Sequence, residues 1–163
     1  MAINSTVMHS YKFSVGFLKS LLEGIDADKM THQFFPGMNH PVWIVGHMAA
    51  TMEFAAKMAG ASYQAPDGWG ELFGMGSSPV DEAGKYPDLA TLLAEWDKAI
   101  EAVAPALEKL TEDVLAAEMP DEGFRQLMPT IGDGLTFILN GHIAMHAGQL
   151  SAWRRANGMK PMF

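Results

Sequence analysis

The chain contains no cysteine, which removes disulfides, thiolate metal ligands and cysteine nucleophiles from consideration. That absence is compatible with a reducing compartment, and the expected location is cytoplasmic. Charge is also sparse: Asp, Glu, Lys and Arg make up 18% of the 163 residues, with a formal net charge of -8. Sequence-independent nucleic-acid binding needs a basic footprint, so no nucleic acid is expected as a partner. Long apolar runs are missing as well. Histidine, glycine, asparagine or a charged residue interrupts each one before the roughly 20 residues that a membrane helix requires. The opening "MAINSTVMHSYKF" has neither the basic start nor the unbroken apolar centre of a secretory leader. No membrane is expected as a partner.

What is present is an apolar, methionine-rich chain, with 48% hydrophobic residues and 13 methionines, long enough for one domain spanning 1–163. Four segments carry a helical period. The first runs from about Thr6 to Glu23, with Val7, Tyr11, Ser14, Leu18 and Leu22 on one stripe, Ser5 or Thr6 as cap and Gly24 as terminator. The second opens at "NHPVWIVGHM", where Pro41 suits the first turn, and Gly60 suits the stop. In the third, Leu89, Leu93, Trp96, Ile100, Val103, Leu107 and Leu110 alternate by four and three, and Pro105 predicts a bend or local break. A short helix is expected after Thr111.

The fourth segment runs from about Ile131 to Asn157, opened by a Thr130–Asp133 capping pair and closed by Gly158. Arg154 and Arg155 read as a solvated pair complementing its dipole. Between the second and third segments, "ASYQAPDGWGELFGMGSSPVDEAGKY" has no period. It is long for a connection in a compact domain, which suggests a pocket wall anchored by Trp69 and Phe73. With no β-type alternation, the expected fold is all-α, a four-helix bundle with a long crossover between helices two and three.

The six histidines carry the chemistry. His142 and His146, in "NGHIAMHAGQLSAWRR", are four residues apart and project from one helical face among Leu135, Ile138, Leu139, Leu150 and Trp153. Buried imidazoles need partners, and two neighbours are hard to satisfy together. A metal ion on their neutral nitrogens would do so, and imidazole suits Zn, Ni, Fe or Cu. The spacing matches the two histidines of H-E-x-x-H, but the intervening "IAM" lacks the glutamate base, which excludes that type of metalloprotease. His47, on the apolar stripe of the second segment with Trp43 and Phe54, is the candidate third ligand. Gly46, Gly141 and Gly148 sit beside the three histidines and permit close approach. The competing reading is a buried histidine network bonded to carbonyls. His9 is a candidate second-layer residue, Glu53 a candidate nearby carboxylate, and His32 and His40 are expected to be exposed or capping. Three histidines without a fourth protein ligand leave coordination positions open, the pattern of a catalytic metal.

The segments "NHPVWIVGHM" and "HIAMHAGQLSAWRRANGMKP" resemble the DinB/YfiT-like superfamily, and the likeness in helical order covers nearly the whole chain. The resemblance implies a four-helix bundle, often homodimeric, with a divalent metal on three histidines: His47, His142 and His146 here. It also implies a divergent activity, in some members a metal-dependent transfer using a low-molecular-weight thiol, and its damage-inducible label does not imply DNA binding. The expected function is therefore a divalent-metal-dependent enzyme of the thiol S-transferase type, on Zn, Ni, Fe or Mn. The alternatives are a metal-dependent hydrolase or a non-catalytic metal- or ligand-binding dimer. The expected partner is a small molecule, and neither catalytic nor organic-cofactor residues can be named from sequence.

Overall fold

The computed structural model describes residues 5–162, whose regular secondary structure is helical with no strand among them. The long elements are α1 (Ser5–Ser20), α2 (Pro41–Ala59), α4 (Leu89–Leu107) and the path formed by α7 (Ile131–Thr136), a π-helical turn (Phe137–His142) and α8 (Ile143–Ala156). Short helices α3 (Trp69–Phe73), α5 (Glu112–Ala116) and α6 (Glu122–Arg125) lie between them. The long elements pack as a helical bundle. α2 makes its most extensive contact with α4 and also meets α3, α7 and α8, while α1 packs on α8 and the π turn.

The central position of α2 follows from its composition. Every residue from Pro41 to Ala49 is buried, so this half of the helix is apolar on all sides and must be enclosed. Pro41 occupies its first turn as expected, and the Nδ1 of buried His40 accepts the Trp43 N–H as its N-cap. At the far end Gly60 adopts φ 70°, and the Gly60 and Ala61 N–H groups close on the Lys57 and Ala56 carbonyls. α1 is shorter than its stripe suggests, ending at Ser20 with a turn through Gly24. Tyr11, Leu18 and Leu22 face the core, the side chain of Ser5 lies outside the described residues, and Thr6 is already helical and exposed.

On α4 the innermost residues are Leu92, Trp96, Ala99, Val103 and Leu107, with Leu89, Leu93 and Ile100 flanking them. The stripe is rotated because Ala99 permits close approach at its centre. Pro105 does not break the helix, which continues to Leu107. It removes a single intrahelical donor, the one that would reach the Glu101 carbonyl, two residues before the helix ends. Thr111 caps α5, and Thr130 with Asp133 forms a complete capping box on α7.

Two features of the last helical path were not expected. The π turn interrupts what the periodicity presents as one continuous α-helix. Its widened turn suits core residues spaced by four: Leu135, Leu139 and Ile143 are each at most 1% exposed. Arg154 is buried rather than solvated, its guanidinium donating from Nη1 to the carbonyls of Leu21 and Glu23 at 2.7 Å each. This cation satisfies carbonyls in the turn that ends α1. Arg155 remains exposed, as a dipole-complementing residue would.

Between α2 and α4, Trp69 and Phe73 anchor the aperiodic segment in the core, 5% and 0% exposed. The Phe73 ring lies so close to α2 that a Cβ on Gly46 would fall 2.3–2.6 Å from three of its atoms. Gly148, also helical and exposed, has open space at the same position. Gly46→Ala is therefore expected to cost about 1–3 kcal/mol through overpacking. Gly148→Ala should instead stabilise by up to about 1 kcal/mol through helix propensity. Urea-unfolding midpoints of the two variants check this, and equal shifts would contradict the packing assigned to Phe73.

Candidate metal centre

His47 comes from the buried half of α2, His142 from the last position of the π turn, and His146 from the first turn of α8. All three are buried, and the fold brings them together as the spacing predicts. His142 Nε2 lies 3.0 Å from His47 Nε2 and 3.2 Å from His146 Nε2. Imidazole nitrogens bound to one cation at about 2.0–2.1 Å lie roughly 2.9–3.4 Å apart for octahedral to tetrahedral angles. The donor set therefore fits a divalent transition metal in spacing as well as in chemistry, and these three residues form a group that could hold one.

Neighbouring groups fix the ring orientations. His47 Nδ1 faces the Phe73 carbonyl at 2.5 Å, and His146 Nδ1 faces Gln149 Oε1 at 2.9 Å. Both partners accept hydrogen bonds, so Nδ1 carries the proton in each ring and Nε2 presents a bare lone pair. Gln149 Oε1 in turn accepts from Asn39 Nδ2 at 2.9 Å. The indole of Trp43 stacks on His47 with centroids 4.6 Å apart and 12° between planes. Trp43 Nε1 donates to the Leu72 carbonyl and Ser77 Oγ, both at 3.1 Å. The aperiodic segment thus supplies the carbonyls that set both Trp43 and His47.

Burial keeps the imidazoles neutral. Desolvation lowers His142 to about 3, helped by its histidine neighbours, and lowers His146 to about 4, with His47 adding and Gln149 opposing. His47 is also lowered by desolvation, against the pull of the Phe73 carbonyl. Neutral imidazole is the form that binds metal.

The three histidines line a cavity of about 520 Å³. Its walls include Thr51 and Phe54 of α2, Gly74 and Met75 of the aperiodic segment, Phe124 of α6, and Phe137 of the π turn. The pocket-wall expectation for that segment is met. Of the other residues singled out in the sequence, His9 is exposed on α1 and takes no part, because its helix turns it outward. His32 is half-buried near Asp81, and His40 is the α2 cap. Glu53 lines the cavity but binds Lys57 Nζ at 3.0 Å and accepts the Ala65 N–H at 3.2 Å. Gly46 admits the Phe73 ring and Gly141 lies against Phe137, whereas Gly148 has no close neighbour. The roles of Phe124, Leu127 and Met128 in the cavity wall were not foreseen, since each lies in or beside a four-residue helix with no legible period.

A family model for the DinB superfamily matches residues 17–150, a span that contains all three histidines, and the chain belongs to that superfamily. No curated protein sequence matches it.

His40 generates a pH prediction separate from the trio. Burial lowers it from 6.5 to about 4, outweighing the favourable contact with the Val80 carbonyl. Between those two values the unfolded chain binds more protons than the folded one, so stability is full above about pH 6.5 and falls as the pH drops toward 4. On acidification this single residue should cost on the order of 3 kcal/mol. His40→Asn keeps a capping side chain without the titration. Its metal-free unfolding free energy should therefore depend less on pH than that of the parent. Equal pH slopes from 7.0 to 4.0 would contradict a neutral, buried His40.

Proposed function

We propose that His47, His142 and His146 hold a divalent transition metal and that the chain is a metal-dependent enzyme of the thiol S-transferase type. The observation that carries this reading is the convergence of three Nε2 atoms on the wall of a 520 Å³ cavity. A cation on three neutral ligands favours the thiolate form of a small thiol and so supplies a nucleophile at neutral pH. The chain's own part is positional. The Phe73 carbonyl and Gln149 hold His47 and His146 in the tautomer that aims Nε2 inward, and Trp43 fixes the plane of His47. Phe54 and Phe124, with ring centroids 5.1 Å apart, offer an apolar seat for an electrophile. The reading includes a homodimeric, cytoplasmic protein, supported by the family likeness and the absence of cysteine.

Glu53 counts against the hydrolytic alternative. Hydrolysis needs a base beside the attacking water, and Glu53 is the carboxylate that lines the cavity. Its hydrogen bond from Lys57 holds it below the usual carboxylate range, with burial opposing, which makes it a poor base. A purely structural metal site, for its part, needs no adjoining cavity.

The test is elemental analysis of untagged protein, followed by thiol-consumption assays with small thiols and a chromogenic electrophile. About one metal per chain is expected, falling below about 0.1 in a folded His142→Ala/His146→Ala variant, together with thiol transfer that needs the metal. No metal after reconstitution with Zn, Ni, Fe or Mn would overturn the site. Metal without thiol transfer would overturn the thiol chemistry alone.

A further inference from the structure

We infer that the part of the cavity beyond the three histidines selects a neutral, apolar molecule and rejects anions. The inference deepens the proposed function by naming the class of electrophile, and it rests on that reading only for the reaction, not for the binding. Among the described residues, no lysine or arginine lines the cavity, and the charged side chain that does is the carboxylate of Glu53. Two cations on the surrounding helices are already engaged: Lys57 by Glu53 at 3.0 Å and Arg125 by Glu118 at 2.8 Å. The chain as a whole carries a net charge of -8. An anion seated beyond the three histidines would lose hydration and gain no counter-charge from the side chains around it, a cost that ordinary apolar contact does not recover.

The apolar lining continues out to the mouth. Met75 and Leu127 are each 81% exposed, Met145 is 49% and Phe137 is 39%, and all four line the same cavity. Scattered exposed hydrophobics need no explanation, but a set gathered around one opening marks a ligand-binding surface. Two of the four are methionines, whose flexible thioethers adapt to ligands of different shape. The half-buried Phe54 and Phe124 add aromatic surface to the same lining. The polar body of a peptide- or sugar-bearing thiol has no cation here to hold its carboxylates. The apolar cavity therefore fits the electrophile rather than the thiol's tail.

A matched pair of probes tests charge selection on the metal-free protein, which separates this inference from the metal reading. N-phenyl-1-naphthylamine and 1-anilinonaphthalene-8-sulfonate share an aromatic frame and differ by the sulfonate. Fluorescence titration should show the neutral amine binding at one site per chain, at least about tenfold more tightly than the sulfonate. Leu127→Arg changes an exposed residue and should leave the fold intact while narrowing or reversing that preference. Glu53→Gln should strengthen sulfonate binding several-fold. Three results would each overturn the inference: no binding of the amine, equal or tighter binding of the sulfonate, or an unchanged ratio in Leu127→Arg.

Discussion

His47 and His146 each aim a bare Nε2 at the Nε2 of His142, 3.0 and 3.2 Å away, and two lone pairs converging in an apolar wall need something positive between them. Much of the surrounding structure holds that arrangement in place. The Phe73 carbonyl and Gln149 take the Nδ1 protons, which leaves Nε2 of His47 and His146 without hydrogens. Trp43 lies flat on His47, and burial keeps all three rings neutral, with desolvation as the leading cause in each. A hydrogen-bonded network needs donors facing acceptors, and here at least two of the three inward nitrogens are acceptors. A cation serves both acceptors at once, whereas a single proton on His142 Nε2 can point squarely at only one of them.

The fold serves this constraint through elements that are otherwise awkward. α2 is buried on every side for half its length, so its histidine cannot turn to water. The π turn closes on His142 and passes directly into α8, placing His142 and His146 one α-helical step apart. The aperiodic segment after α2 packs Phe73 against Gly46 and delivers its carbonyl to His47. The same residue's ring fills the space that Gly46 leaves, and its neighbours Gly74 and Met75 line the cavity. Site and packing are therefore coupled through the close contact of Gly46 with the Phe73 ring and through the Trp43 bonds to Leu72 and Ser77.

The parts legible in the sequence were those governed by local rules. Pro41 and Gly60 bounded α2, the Thr130–Asp133 box opened α7, and the four-residue spacing put His142 and His146 on one face. His47 was legible because it shares a helical stripe with Trp43 and Phe54. The misreadings lie where tertiary contact decides. Arg154 looks like a surface cation at a helix end, and only the carbonyls of Leu21 and Glu23, more than 130 residues earlier in the chain, draw it into the interior. The π turn leaves no compositional mark beyond core residues four apart, a spacing that an α-helix also tolerates. The α4 stripe held at Trp96, Val103 and Leu107 and was one position off at its centre, because Ala99 is small enough to be innermost and a hydrophobicity pattern weights the larger Ile100. His9 followed the same logic in reverse, since a residue beside a buried one on a helix can face water.

The account's central claim is that the three Nε2 atoms form one cation site with positions left open toward the cavity. Optical titration of the metal-free protein with cobalt(II) tests it most directly. The account predicts visible d–d bands that saturate at about one equivalent, and a sulfur-to-metal charge-transfer band when a small thiol is then added. Absence of the visible bands at saturating cobalt would contradict the site itself. Bands that no thiol perturbs would contradict the open positions.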